Sequence, residues 1–139
     1  VAFTDLDDDG DQDVFAVMGG AYTGDVYANA LFENPGHGRH WITVRLRGVR
    51  ANRAAIGARL RVHLEPAQGA PRVIHRTVGS GGSFGAGSLQ QEIGLGAASA
   101  IQRIEIDWPG GDPQVVERPP VDRIVSIRQG EAARVIPSP

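Results

Sequence analysis

Short runs in which apolar and polar residues alternate most constrain what this chain can fold into. In HWITVRLR (40–47), the apolar residues Ile42, Val44 and Leu46 occupy every second position. Because successive side chains of a strand point to opposite faces, such alternation predicts half-buried β-strands. Helical periodicity is weak throughout, and only residues 51–58 are compatible with one turn of helix or a tight loop.

About ten such runs are separated by turns rich in Gly, Pro and Asn. They predict an all-β chain built around an antiparallel β-sandwich or barrel-like domain. The 19 glycines and nine prolines fit this reading. The runs are 14–18, 30–34, 40–47, 58–65, 71–78, 89–95, 101–108, 113–119, 122–129 and 133–136.

Nine residues near the start, DLDDDGDQD (5–13), include six aspartates. Clustered carboxylates repel one another, so a folded chain needs a counterion to hold them in one turn. Counted from Asp5, the aspartates at positions 1, 3, 5 and 9 offer side-chain oxygens, and position 7 offers its backbone carbonyl. Position 6 is Gly10, where a sharply turning loop requires positive φ. The predicted ligands are Asp5, Asp7, Asp9, Asp11 and Asp13.

An all-oxygen set of this kind is what Ca²⁺ requires. Mg²⁺ prefers to keep its waters, and Zn²⁺ prefers nitrogen or sulfur, whereas this chain has no cysteine. An EF-hand is excluded because position 12 is Ala16, not Glu, and lies in a strand-like run. Asp8 falls between ligand positions and is expected to point to solvent. The alternative reading is an acidic, solvated turn.

Charge divides the chain into two units. Residues 1–38 contain eight acidic residues and no basic residue, which gives a net charge of −8. Residues 39–139 contain all 14 basic residues, every one an arginine, and eight acidic residues, which gives +6. We therefore expect a unit over 1–38 and a β domain over 39–139. The arginines do not cluster with aromatic residues, so a nucleic-acid surface is not expected.

DLDDDGDQD, followed by VFAVMGG and NALFENPG, resembles a blade of the FG-GAP/VCBS type found in integrin-like β-propellers. The resemblance covers about residues 1–38 and implies that Asp5, Asp7, Asp9 and Asp13 bind Ca²⁺ between two strands of a hairpin. A lone blade cannot bury its apolar faces. It would therefore pack on upstream blades, on another part of the structure, or on neighbouring copies of the chain.

The second unit resembles the ASPIC/UnbV domain of secreted bacterial proteins and cartilage acidic proteins over about residues 40–130. The motifs that carry this resemblance are NRAAIGARLRV (52–62), RTVGSGGSFGAGS (76–88), EIGLG (92–96) and IEIDWPGG (104–111). Glu92 and Ile93 stand where the family usually has His and Phe. The resemblance implies no established chemistry.

Catalytic patterns are weak. Gly81–Gly85 matches G-x-S-x-G, but no helix is predicted after it and no histidine follows His75. The chain has no lysine for a phosphate-binding loop. The histidines form no ligand set, although His63 and His75 could face each other on neighbouring strands. The chain is expected not to be an enzyme.

The sequence thus predicts a non-enzymatic, extracellular, secreted or cell-surface module, stabilised by Ca²⁺, with a structural, adhesion or surface-recognition role. One alternative is a subunit of a filament or oligomer completed by strand addition between copies. Another is an accessory carbohydrate-binding or hydrolase-associated domain. Expected partners are upstream blades, copies of the chain, a glycan or a matrix protein, with no nucleic acid and no membrane span.

Overall fold

The computed structural model describes residues 1–66, 70–81 and 88–137, which form eleven β-strands and no helix. This confirms the prediction of an all-β chain. The strands are β1 (Ala2–Thr4), β2 (Asp13–Ala16), β3 (Ala30–Phe32), β4 (His40–Arg47), β5 (Arg59–Leu64), β6 (Arg72–Thr77), β7 (Gln91–Gly96), β8 (Ile101–Asp107), β9 (Gln114–Glu117), β10 (Ile124–Arg128) and β11 (Arg134–Ile136).

The strands form three sheets. β1, β2 and β3 make an antiparallel sheet in chain order, which we call the N-terminal sheet. The second sheet has the order β11-β10-β4-β7 and is called the β4 sheet. The third has the order β6-β5-β8-β9 and is called the β5 sheet. The β4 and β5 sheets share one apolar core and give a sandwich rather than a closed barrel over the described residues.

The predicted inward faces are largely correct. Ile42, Val44, Leu60 and Val62 are fully buried in the core between the sheets, at 0–1% exposure. Leu46, near the end of β4, is only partly buried against this core. β-branched and leucine side chains at every second position give each sheet one continuous apolar face, and burial of these faces holds the sandwich together.

One strand pair departs from the antiparallel arrangement, and one predicted contact needs correction. β10 pairs parallel to β4, with Val125 opposite Val44, so the β4 sheet is mixed. A parallel pair requires a long connection, and here it runs through β5 to β9, which include all four strands of the β5 sheet. His63 and His75 do not face each other, since His63 lies opposite Val73 and His75 opposite Arg61.

The loop over residues 51–58 is a series of turns and not a helix. The Asn52 side chain accepts a hydrogen bond from Ile56 N at 2.9 Å and donates one to Ile56 O at 2.8 Å. Ala55 and Gly57 have positive φ values of 56° and 91°. Most of the Gly81–Gly85 motif lies in residues 82–87, outside the described residues.

Candidate metal centre

Three of the predicted ligands converge in the β1–β2 loop. Asp5, Asp7 and Asp9 each offer a carboxylate oxygen, and these atoms all lie within 4.8 Å of one another. Asp5 is buried, whereas Asp7 and Asp9 are exposed. The three carboxylates therefore form a cluster that is anchored at the base of the loop and open to solvent above it.

Backbone amides shape this loop around the Asp5 carboxylate. Asp9 N and Gly10 N donate to its two oxygens at 3.1 and 3.0 Å. The Asp7 and Asp9 side chains each accept a hydrogen bond from the amide two residues ahead, at 3.3 and 2.9 Å. Gly10 has φ +96°, as predicted for the sharp turn. These local bonds hold the alternate aspartates on the inside of the loop.

The electrostatics of the cluster oppose its full ionisation. Burial raises the pKa of Asp5 to about 6, and the negative charges of Asp8, Asp9 and Glu92 add to the shift, while the hydrogen bond from Gly10 N partly offsets it. A nearby cation would favour the charged carboxylate. A carboxylate that is buried among like charges is thus a group whose environment suits a bound metal ion.

Asp13 lies apart from this cluster. Its side chain is 2% exposed, and it accepts hydrogen bonds from Asn34 N at 2.8 Å and Leu6 N at 3.0 Å. These two bonds lower its pKa below the ordinary range. In this structure Asp13 ties the loop to Asn34, just after β3, and it is not one of the three aspartates whose oxygens lie within 4.8 Å of one another.

The remaining aspartates of the run point in two directions. The prediction that Asp8 points to solvent is wrong, since it is partly buried and its Oδ1 lies 3.9 Å from an Arg45 guanidinium nitrogen. The Asp11 carboxylate turns towards Gly36, so that a Cβ atom at position 36 would lie 2.7 Å from Asp11 Oδ2. Asp9, Asp11 and Trp41 are among the residues that line an open groove of about 390 Å³.

The floor of the loop is the outer face of β4. Trp41, Thr43 and Arg45 share this face because they alternate with the core residues. Thr43 lies between Trp41, which contacts Gly10, and Arg45, whose guanidinium lies near Asp8. Thr43 is 1% exposed, and its Oγ1 has no hydrogen-bond partner within the described part of the chain.

The donor set and this buried hydroxyl together fit a hard cation with water in its coordination sphere. Carboxylate oxygens are the preferred ligands of Ca²⁺, which also accepts waters in its six to eight positions. A buried hydroxyl without a partner marks a place where an ordered water or ion completes the hydrogen bonding.

A scan against known protein families assigns a family to the second unit. Residues 48–134 match the profile of the family described as ASPIC and UnbV, which is more than half of the chain. The chain belongs to the ASPIC/UnbV family. A search of curated proteins found no match. The matched segment begins in the loop after β4, so it does not include the aspartate loop, and the FG-GAP/VCBS resemblance rests on the motif alone.

The ASPIC/UnbV sandwich has its own polar features, which the sequence did not predict. On the outer face of the β5 sheet, Arg61 donates to Glu105 at 2.8 Å and to Asp107 at 2.6 Å, and Arg103 donates to Glu105 at 2.8 Å. These bonds lower the pKa of Glu105 to about 2, with Arg61 the larger cause. His63 Nε2 lies 3.1 Å from Glu105 but is not aligned for a hydrogen bond.

A second such feature lies beside the groove. The Asp122 carboxylate is 2.8 Å from His40 Nδ1 and accepts a hydrogen bond from Trp41 N at 3.0 Å. Asp122 has a positive φ of 54°. His40 and Trp41 lie 82 and 81 positions before Asp122 in the sequence, and the pairing of β4 with β10 brings the three residues together.

Glu92, within the matched segment, contacts the aspartate loop directly. Its carboxylate accepts hydrogen bonds from Gln12 at 2.7 Å and from Gln90 at 2.9 Å. The one sequence signal that could have drawn attention to it is its departure from the usual family pattern. The described residues contain no helix that is long and apolar enough to span a membrane.

Proposed function

We propose that this chain is a non-enzymatic extracellular module in which an ASPIC/UnbV sandwich carries a structural Ca²⁺ site, with an adhesion or surface-recognition role. The observation that supports the site most directly is the convergence of Asp5, Asp7 and Asp9 within 4.8 Å around a buried carboxylate. Extracellular calcium modules bind the ion at about 10⁻⁴–10⁻³ M, which suits a partly open site of this kind.

Each residue of the loop has a distinct part in this proposal. Asp5, Asp7 and Asp9 would supply the carboxylate oxygens, and bound Ca²⁺ would neutralise part of their charge and order the loop. Gly10 provides the turn that directs two backbone amides at Asp5. Asp13 joins Leu6 of the loop to Asn34, just after β3, by accepting a hydrogen bond from each backbone amide. Thr43 lies below as a hydroxyl available to a metal-bound water.

Thermal unfolding of the full chain in EDTA and in Ca²⁺ tests this proposal. At Ca²⁺ ten- to a hundredfold above its Kd, linkage adds about 1.4–2.7 kcal/mol to the free energy of unfolding. For a chain of this length we expect the melting temperature to rise by about 4–10 °C.

Two variants make the test specific. Asp9→Asn removes a ligand charge and should abolish the rise. Asp112→Asn makes the same charge change at a carboxylate that is 83% exposed, and it should leave the rise intact. Equal melting temperatures of the unmodified chain in EDTA and Ca²⁺ would reject the site.

A second candidate function, self-assembly, is favoured by the surface of the N-terminal sheet. Phe3 and Phe32 lie on one face, at 63% and 58% exposure, and Leu31 lies on the other, at 57%. The sheet thus presents apolar side chains on both faces, as expected for a blade that another copy or another blade would cover. A strictly monomeric mass by light scattering at about 100 µM protein with Ca²⁺ would contradict assembly.

A further inference from the structure

The aspartate loop is fitted against the sandwich at one close contact. A Cβ built on Gly10 would lie 2.1 Å from Cδ2 and Cε2 of Trp41, well inside van der Waals contact. The loop backbone therefore rests directly on the indole ring, and only glycine fits there. Gly10 thus serves both the turn of the loop and its contact with β4.

Two polar contacts flank this point. Gln12 donates to Glu92 of β7 at 2.7 Å, and Asp8 lies 3.9 Å from Arg45 of β4. Thr43 and Ile124, neighbours on the same outer face, are each 1% exposed, and Ile124 does not belong to the core cluster between the sheets. Their burial shows that this outer face is covered.

The charges at this contact do not favour docking by themselves. The loop carries six carboxylates, and the opposing face adds the carboxylate of Glu92. Among the described residues, Arg45 is the one guanidinium within 4 Å of a carboxylate of the loop. Like charges brought together out of water oppose association, so the contact lacks the counter-charge that it needs.

We propose that cation binding by Asp5, Asp7 and Asp9 locks the N-terminal sheet onto the outer face of the β4 sheet, so that the loop is a calcium-dependent joint between the two units. This inference rests on the proposed calcium site and adds a consequence to it. The bound divalent ion neutralises two of the clustered negative charges and holds the backbone of Gly10 over the Trp41 indole. Without the ion, repulsion within the loop and from Glu92 weakens the contact, so the joint opens more often.

The connection between the units contains a convenient probe. Residues 1–38 have no lysine or arginine, so Arg39, which is exposed, is the first trypsin site of the chain. Cleavage there releases an intact fragment of residues 1–39. Arg53 is also exposed, but it lies in a turn of the sandwich and serves as an internal control for any effect of Ca²⁺ on the protease.

The experiment measures cleavage rates at both sites in EDTA and in Ca²⁺, with calcium binding followed by calorimetry. We expect Ca²⁺ to slow cleavage at Arg39 about tenfold, a usual size for coupling between sites, and to leave Arg53 unchanged. The fluorescence of Trp41 should change along the same titration, while Trp108, at 3% exposure in the core, contributes a constant signal.

Two variants separate the joint from the site. Trp41→Leu keeps every carboxylate of the loop and should still bind Ca²⁺, but it should lose the protection of Arg39. Asp9→Asn should lose both binding and protection. If the unmodified chain binds Ca²⁺ with less than a twofold change at Arg39, the joint is refuted while the calcium site stands. If no Ca²⁺ binds, the site itself is refuted, and the joint falls with it.

Discussion

Replacement of Thr43 by valine tests the metal centre from below, without touching a carboxylate. Valine has nearly the same shape as threonine but lacks the hydroxyl. Thr43 is 1% exposed, and its hydroxyl has no hydrogen-bond partner among the described residues. A buried hydroxyl without a partner destabilises a fold by about 1–3 kcal/mol. In EDTA, Thr43→Val should therefore raise the free energy of unfolding by about 1 kcal/mol.

In Ca²⁺ the expected effect is different. In the loaded state, a water bound to the ion donates a hydrogen bond to Thr43 Oγ1 and satisfies the hydroxyl. Valine removes this hydrogen bond. The stabilisation by Ca²⁺ should then shrink by about 1–2 kcal/mol, which corresponds to a roughly tenfold weaker affinity. The variant gains stability without the ion and loses affinity for it.

Urea unfolding in EDTA and in Ca²⁺, with calorimetric titration of the ion, measures both effects. Thr77→Val is the matched control because Thr77 is exposed on β6, and it should change neither stability nor affinity by more than about 0.5 kcal/mol. An equal gain for Thr43→Val in both conditions, with unchanged calcium affinity, would refute the role assigned to this hydroxyl.

Three further outcomes concern the sandwich itself. The pKa of Glu105 is lowered from 4.5 to about 2, first by Arg61 and then by Arg103. The contribution of Glu105 to stability is therefore present above pH 4.5 and is lost as the pH falls towards 2. Urea unfolding of Glu105→Gln should show a weaker acid dependence than the unmodified chain over this window. Gln129 Oε1 accepts hydrogen bonds from the three backbone amides of residues 49–51, each at 2.9 Å. Gln129→Met should lower the free energy of unfolding by about 1–3 kcal/mol. Gln129→Glu retains the acceptor oxygen, so it should lower the free energy of unfolding by less. Val62→Ala, at a core position with 0% exposure, should cost about 2 kcal/mol in the same assay.

The alternation of apolar and polar residues predicted most strands, because a strand that faces a core on one side needs an apolar residue at every second position. Leu60 and Val62 alternate with Arg59 and Arg61 in β5, and the structure buries the first pair in the core. The sequence missed β1, whose three residues are too few to show alternation. Thr43 lies on the outer face of β4, as its alternation with Ile42 and Val44 requires, but alternation gave no sign that it would be buried.

The pairings that the sequence did not predict have a common physical origin in contacts between distant segments. Parallel pairing of β4 with β10, the contact of His40 with Asp122 and the contact of Gln12 with Glu92 all join residues about 80 positions apart. Alternation reports which face of a strand is apolar, but it carries no information on which other strand lies beside it. The positions of Asp5, Asp7 and Asp9 were predictable because their spacing encodes a loop within nine residues.

The two units differ in how they balance their charges, and this difference argues for an ion at their contact. On the β5 sheet, Glu105 is paired directly with Arg61, so the charges are balanced within the protein. At the aspartate loop the β7 strand offers Glu92, whose partners are the neutral amides of Gln12 and Gln90. A chain with 14 arginines could have placed several of them opposite six aspartates, yet Arg45 alone approaches among the described residues. This imbalance supports the proposal that a bound cation neutralises the loop, as arginine neutralises Glu105 on the β5 sheet.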